Sequence, residues 1–424
     1  MNYINISNKS RIFKFEDAVI CNNHDSGLIM PQYIPEFGNL FLKKLNRKTN
    51  LEIATDLMYP YLNDIFDWPS LEKLVSKSIN FKIPLVQIEE NIFALELFHG
   101  PTMAFKDVGA RFLSMLLQHL NRGKDKTRII VATSGDTGSA VANAFANIEG
   151  FEVFILYPQN GVSKYQEQQI TNSASNIWAI EVEGSFDDCQ RMLKSVLQNR
   201  LLCKELNITT ANSINIGRLL PQIVYYFLAY KQLGNNKKDL VFSVPSGNLG
   251  NLTAGIMAMK MGLPVTKFIA AVNQNRTFYK LLKYGIYKPN KSVKTYSNAM
   301  DVGNPSNIDR LLYLYQNDVL KMTDDIQCRT VNDEQTINSM QIVYDKHNYL
   351  MDPHSAVAYH ALKSSLKPHQ NGIFLSTASP VKFEDVVIKA IPQMTRNYLS
   401  GPIGKKISTK KDYQYLEKIL YEMV

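Results

Sequence analysis

Cysteine is scarce in this chain: four among 424 residues, Cys21, Cys189, Cys203 and Cys328, far apart and without a CxxC pair. That spacing excludes a disulfide framework and a cysteine zinc site, and points to reduced thiols in a cytoplasmic protein. No uninterrupted apolar run approaches membrane-spanning length, so no transmembrane helix is expected. The Met1–Arg11 stretch lacks the apolar core of a signal peptide, and a long N-terminal regulatory extension is missing, which argues against effector control. The seven histidines show no HExxH or other metal spacing, so no metal is expected. No GxSxG elbow suggests a serine hydrolase. Neither GxxxxGK followed by Ser or Thr nor GxGxxG occurs, which disfavours ATP and NAD. Charge clustering is lacking as well. The net charge of +9 is scattered, with its densest group at Lys405, Lys406, Lys410 and Lys411. It reads as solubility and attraction for an anionic small molecule, not as a nucleic-acid stripe.

What is present is an ordinary globular composition, 45% hydrophobic and 20% charged, in a chain long enough for two or three domains. Lys106 stands out. It follows Met103, Ala104 and Phe105 and precedes an apolar stripe of Val108, Phe112, Leu116 and Leu120, with Leu113 and Leu117 beside it. The stripe predicts a core-facing helix, with Asp107 as its N-cap and Gly123 as its stop. A lysine held against apolar neighbours loses solvation, so its neutral amine becomes accessible, as a Schiff-base lysine requires. The plainer alternative is a lysine that only keeps the chain soluble.

Residues 1–95 mix short helical pieces with Pro and Gly punctuation. Beyond them strands alternate with helices. Strands are expected at Arg128–Thr133, Phe151–Tyr157, Ile177–Val182, Asp239–Val244 and Lys267–Val272. Helices are expected at Ser139–Ile148, Phe186–Leu197, Ile216–Tyr230 and Leu252–Lys260. The alternation predicts doubly wound parallel sheets in two α/β units, with a cleft between them at the C-terminal ends of the strands. Two loops fall there. In Ser246–Asn251, Gly247 and Gly250 let backbone N–H groups approach an anion, and the helix start adds its dipole, making a phosphate cup. Thr133–Gly138 offers a second helix N-terminus suited to a carboxylate or phosphate; the alternative is a simple cap by Thr137 or Asp136. Asp187/Asp188 and Asp324/Asp325 read as solvated turns or helix starts, and His354 as a structural turn residue.

A Schiff-base lysine facing a Gly-rich phosphate cup resembles the fold-type II pyridoxal-phosphate enzymes, the tryptophan synthase β-like fold. Within that group the chain is similar to the threonine synthase family. The similarity rests on His99–Asp107, Ala132–Gly138, Asn212–Arg218, Pro245–Asn251, Asp301–Asn307 and Asp352–Val357, in that order, with Gly27–Pro31 ahead of them. The resemblance implies an N-terminal domain at 1–95, a small α/β domain carrying the lysine at 96–235, and a large α/β domain carrying the phosphate loop at 236–424. It implies pyridoxal 5'-phosphate on Lys106, its phosphate held by Gly247, Asn248, Leu249, Gly250 and Asn251, and Thr377 as partner of the pyridine nitrogen. The implied reaction turns O-phospho-L-homoserine and water into L-threonine and phosphate. Ser134, Gly135, Asp136 and Thr137 would anchor an anionic end of the substrate, and Ser213, Asn215 and Arg218 its phosphate side. Ser379 and Val381 stand where the family usually shows His and Ala, and Cys21–Gly27 departs from the usual N-terminal segment. The alternatives are a related dehydratase or phospho-lyase giving 2-oxobutyrate, and a catalytically silent relative. No nucleic acid or membrane partner is expected, and the chain is expected to act as a monomer or homodimer.

Overall fold

A computed structural model describes residues 1–20, 27–121, 126–171, 174–234, 239–394 and 402–423. The expected helix stop at Gly123, the segment 21–26 and Cys21 lie outside the described residues. Among the described residues the chain forms fourteen strands. These are β1 (Tyr3–Asn5), β2 (Asn8–Phe13), β3 (Ile29–Pro31), β4 (Leu85–Glu89), β5 (Ile92–Glu96), β6 (Thr127–Ala132) and β7 (Phe151–Pro158). They continue with β8 (Ile177–Glu183), β9 (Ile208–Thr210), β10 (Asp239–Pro245), β11 (Lys267–Val272), β12 (Ile326–Thr330), β13 (Gln370–Ser376) and β14 (Ile407–Lys410).

Three sheets result, ordered β2-β1-β3, β14-β8-β7-β6-β9 and β12-β11-β10-β13-β5-β4. The five-stranded sheet is wholly parallel. The six-stranded sheet is parallel except for β4, which pairs antiparallel with β5. Strands β6, β7 and β13 are buried along their whole length, as expected of parallel strands covered on both faces, and the polar residues near their starts, Thr127, Arg128, Glu152, Gln370 and Asn371, are buried with them.

Sheet membership does not follow the linear division at 95 and 235. β4 and β5 belong to the large sheet, and β14 returns from the C-terminus to pair with β8. The helix Tyr413–Glu422 then packs Leu416 and Leu420 into the core that holds Cys189 and Leu193. Ahead of the sheets, Asn50–Leu62 starts with a capping box between Thr49 and Glu52, and Trp68–Ser78 is capped by Asp67 with Pro69 in its first turn.

Two helices differ from expectation for identifiable reasons. Ile216–Tyr230 is not continuous: it divides into Ile216–Leu219, a 3-10 turn Leu220–Gln222 and Ile223–Gln232. Pro221, which has no N–H to donate, sits in the turn. The second piece is buried all round from Ile223 to Ala229, and Tyr226 packs against Phe242 and Phe268 of the large sheet. In the helix Lys106–Leu120, the residue at the cap is Phe105, and Asp107 lies one turn position inside. Its carboxylate reaches back to accept from the Thr102 amide at 2.9 Å and the Thr102 hydroxyl at 2.6 Å. Asp187 and Asp188 open the helix Phe186–Gln198, whereas Asp324 and Asp325 close the helix Val319–Asp325.

Candidate active site

Parallel pairing of β5 with β13 brings Glu96 beside Ser376. The two chains leaving those strands stay together. Leu97 N–H donates to Ser376 O at 2.9 Å, Phe105 N–H to Thr377 O at 2.8 Å and Ser379 N–H to Met103 O at 3.0 Å. Lys106 and Thr377, far apart in sequence, are thereby neighbours at the C-terminal edge of the large sheet. Thr377 is buried.

Lys106 opens its helix with a partly buried side chain and its ammonium 4.6 Å from the centre of the Phe105 ring. Burial pushes its pKa down to about 8; the Arg218 charge adds to that and Asp136 opposes it. Roughly a tenth of the amine is therefore neutral at pH 7 and half at pH 8, far more than for an ordinary lysine. Arg218 is 2% exposed. Its Nη1 donates to Ala211 O, and its Nε has no partner among the described residues. Burial lowers its pKa to about 10, with Asp107 opposing. The helix Lys106–Leu120 can lie this close to Arg218 because Gly109 has no side chain: a Cβ there would sit 2.7 Å from Arg218 O.

The loop Ser246–Asn251 follows β10 and opens the helix Gly250–Lys260. Leu249 takes the left-handed conformation with φ 62° and sends its side chain into the core, so its contribution to a ligand is through the backbone. A Cβ on Gly247 would meet Ala299 O and Met300 Cα, each at 3.0 Å. Asn248 is tied to the 301–307 segment: its Oδ1 accepts from the Ser306 hydroxyl at 2.8 Å, and its backbone O from Asn307 Nδ2 at 2.9 Å. Asn307 Nδ2 also donates to Ser213 Oγ at 3.1 Å. Below the loop, Asn251 Oδ1 accepts from Tyr225 and Tyr226 at 2.6 and 2.7 Å, while its Nδ2 is buried without a partner among the described residues. Glycine-lined backbone at a helix start and an unpartnered buried donor suit a phosphate group.

The second anion loop is shaped by Thr133, whose hydroxyl accepts from Gly135 N–H at 2.9 Å and Gly138 N–H at 2.8 Å. Gly135 adopts φ 131°, and a Cβ there would overlap the Gln166 side chain at 2.3 Å. As the first residues of the helix Asp136–Phe145, Asp136 and Thr137 present N–H groups with no intrahelical acceptor. Ser134 and Thr137 are partly buried. The Asp136 carboxylate is engaged elsewhere, 2.7 Å from Lys382 Nζ and 2.9 Å from Gln166 Nε2. Burial works to raise its pKa, yet Lys382, His354 and Gln166 hold it below the usual carboxylate range.

In the 212–218 segment, Asn212 clamps Ala132 through both backbone groups at 3.0 and 2.7 Å. Ser213 borders the cup. Asn215 is committed to the fold: its Oδ1 caps Gly217 N–H, and its Nδ2 donates to Val19 O and Thr210 O.

Other residues that build the site carried no site role in the sequence reading, His354 being read as a structural turn residue. Arg310, fully buried, donates to Ser213 O at 2.8 Å, Ile214 O at 2.7 Å and Asn307 Oδ1 at 2.7 Å, locking the 213 segment to the cup. Asp301, its pKa raised to about 6 by burial, braces the same loop through Thr295 and Asn273. His354 donates from Nδ1 to Asp352 at 2.7 Å and accepts Ala299 N–H on Nε2 at 3.1 Å. No cluster of His, Cys, Asp and Glu able to hold a metal occurs among the described residues. Lys382, to which the sequence reading gave no role, forms one wall of a cavity of about 430 Å³ that also borders Ser163, Lys164, Lys294 and Lys389.

Gly247→Ala is expected to weaken pyridoxal 5'-phosphate binding about tenfold, since the added methyl forces a shift worth roughly 1–3 kcal/mol. A fluorescence titration of the cofactor-free protein checks it.

Comparison with known proteins points one way. Residues 80–377 match the model for pyridoxal-phosphate dependent enzymes, and residues 2–79 the model for the threonine synthase N terminus. The threonine synthase of Haemophilus influenzae is 40% identical over 389 residues, 91% of this chain and 90% of that protein. The crystal structure of threonine synthase from Escherichia coli superposes with a TM-score of 0.95 at 35% identity, covering all of both chains. The PLP-bound threonine synthase from Brucella melitensis gives 0.90 at 30% identity, over 100% of this chain and 99% of that one.

Proposed function

The chain belongs to the threonine synthase family of pyridoxal-phosphate dependent enzymes, and from that premise we propose how its residues divide the work. The reaction converts O-phospho-L-homoserine and water to L-threonine and phosphate; the dehydratase and phospho-lyase alternatives are not favoured by these relatives. Pyridoxal 5'-phosphate, when bound, supplies the electron sink that loosens the protons on the substrate's α and β carbons.

The depressed pKa of the Lys106 amine is the observation that carries the assignment. This amine holds the cofactor and then takes and returns the protons at the α and β carbons, which needs a base titrating near the working pH. Gly247 to Asn251 hold the cofactor phosphate. Thr377 places a neutral hydroxyl at the ring nitrogen. The amides of Ser134, Asp136 and Thr137 take the substrate's carboxylate, with Gly135, whose N–H is spent on the Thr133 hydroxyl, shaping the loop, and Arg218 with Ser213 faces its phosphate. Asn215, whose amide is spent on the backbone, leaves that group and serves to hold the segment.

The working setting we propose is the cytoplasm, with small molecules as the only ligands, no nucleic-acid partner, and a monomeric or homodimeric state. No helix among the described residues is long and apolar enough to cross a membrane. Cys189, Cys203 and Cys328 are free, and burial pushes the Cys203 thiol up to about 11.

Product analysis of the cofactor-loaded protein with O-phospho-L-homoserine tests the reaction. Equal threonine and phosphate are expected, whereas phosphate with 2-oxobutyrate would overturn it. Thr377→Asp should protonate the ring nitrogen more fully, shift the cofactor's absorbance and divert part of the product to 2-oxobutyrate. Unchanged spectra and products would remove Thr377 from the site.

A further inference from the structure

An anion-binding helix start that bears an aspartate in its first turn poses a physical problem, because the Asp136 carboxylate would repel the carboxylate its amides are meant to take. We propose that Lys382 is the positioning residue that solves it, cancelling the Asp136 charge and holding the substrate loop in place beside Lys106. This rests on the assignment of Ser134 to Thr137 to the substrate.

The geometry is specific. Lys382 is 1% exposed and its ammonium has two partners among the described residues, Asp136 Oδ1 at 2.7 Å and Thr102 O at 2.9 Å. Burying an ammonium this deeply is costly without a carboxylate to pair with. Its second partner, Thr102, belongs to the segment that leads into Lys106 and is itself bonded to Asp107. Lys382 follows Thr377 within the same C-terminal turn, where its N–H donates to Ser379 O at 3.1 Å. One ammonium therefore links the three segments that carry Lys106, Thr377 and the substrate loop. Gln166 completes the arrangement: it donates to the same Asp136 oxygen as Lys382 and fills the space above Gly135. The carboxylate is thus drawn toward Lys382 and Gln166, and its charge is offset where the loop's free amides meet an anion. The groups acting on Asp136 from the packed elements are Lys382, His354, Gln166 and, through the field, Lys106.

A loose structural contact would predict lost stability alone. The proposal predicts a separable effect. In the holoenzyme, Lys382→Met should raise KM for O-phospho-L-homoserine roughly 100-fold while kcat falls far less, because a buried charge loses its partner. The visible band of the lysine-bound cofactor should remain. Adding Asp136→Asn should recover at least about tenfold of that loss, since the repulsion is gone. Calorimetric titration with L-threonine should show the same ranking without turnover. A wild-type KM for Lys382→Met, or a double variant no better than the single one, overturns the proposal. If the single variant does not fold, the double variant decides: a KM still raised about 100-fold overturns it, and a KM within about tenfold of wild type supports it. Thr137→Pro, which removes one of those amide N–H groups in the first turn of the helix, where proline is tolerated, separates the premise from the proposal. A raised KM there with none for Lys382→Met leaves the loop assigned and Lys382 structural; no effect from either removes both.

Discussion

Lys106→Ala is expected to abolish the visible absorbance of bound cofactor and to lower threonine formation by roughly ten-thousand-fold, since one residue supplies both attachment and proton transfer. The prediction follows from placement. Lys106 begins a helix whose start packs against Arg218, beside Phe105 and within the field of Asp136. Removal of solvent is the largest force on its amine, and it favours the neutral form. In the cofactor-free protein the rate of pyridoxal 5'-phosphate capture should climb as pH rises through about 8 and then level off. A stability effect accompanies it. The folded value lies below the unfolded one of about 10.4, so the unfolded chain binds more protons between those two pH values. The cofactor-free protein therefore gains stability as pH rises across that window, and Lys106→Met should remove the gain. Borohydride reduction followed by peptide mass analysis checks the attachment directly. A reduced adduct on another lysine would sink the assignment.

How much of this was legible in the sequence depended on burial. β10 and β11 read clearly because Asp239–Pro245 and Lys267–Val272 are apolar on both faces. The β4–β5 pair did not, because Leu85–Glu89 is a half-exposed edge strand that carries Gln87 and Glu89. β14 is four residues long with an exposed serine and lysine, and its strand character comes only from pairing with β8. These two omissions explain why sheet membership crosses the linear domain boundaries. In the candidate site, Lys106 and the Gly247–Asn251 loop stand out in the sequence because the features that propose them are local: a lysine in an apolar run, glycines at a strand-to-helix turn. Lys382 and Arg310 do not, since long cationic side chains are ordinarily solvated and nothing nearby in the chain marks them as buried. Their partners, Asp136 and the Ser213 carbonyl, are brought up by the meeting of the two sheets. Asn215 illustrates the converse error. A polar residue in a recognisable motif was assigned to substrate, whereas its amide is a helix cap and a backbone clamp.

The Arg218 guanidinium gives the second large expectation. Arg218→Met should raise KM for O-phospho-L-homoserine roughly 100- to 1000-fold, the range for losing one partner of a buried charge pair. A buried arginine is tolerable only when its donors are satisfied, and here Nη1 takes the Ala211 carbonyl while Nε has no partner among the described residues. A doubly charged phosphate from the substrate would supply what is missing, in the paired geometry that guanidinium favours. Methionine keeps the packing volume, and the Arg218 backbone against Gly109 is untouched by the change. A second consequence has its own sign. Arg218 is one of the two influences that lower the Lys106 pKa, so its removal should move the pH of cofactor capture upward from about 8. The move is modest, because burial is the larger influence and remains. Arg218→Lys keeps a charge, so it should restore most of that pH behaviour while still binding substrate poorly, an ammonium being a point charge rather than a fork. Substrate affinity and the Lys106 titration thus respond differently to the same pair of variants. An unchanged KM in Arg218→Met would place the substrate phosphate elsewhere, and a downward pH shift would show that Arg218 does not act on Lys106 as a positive charge.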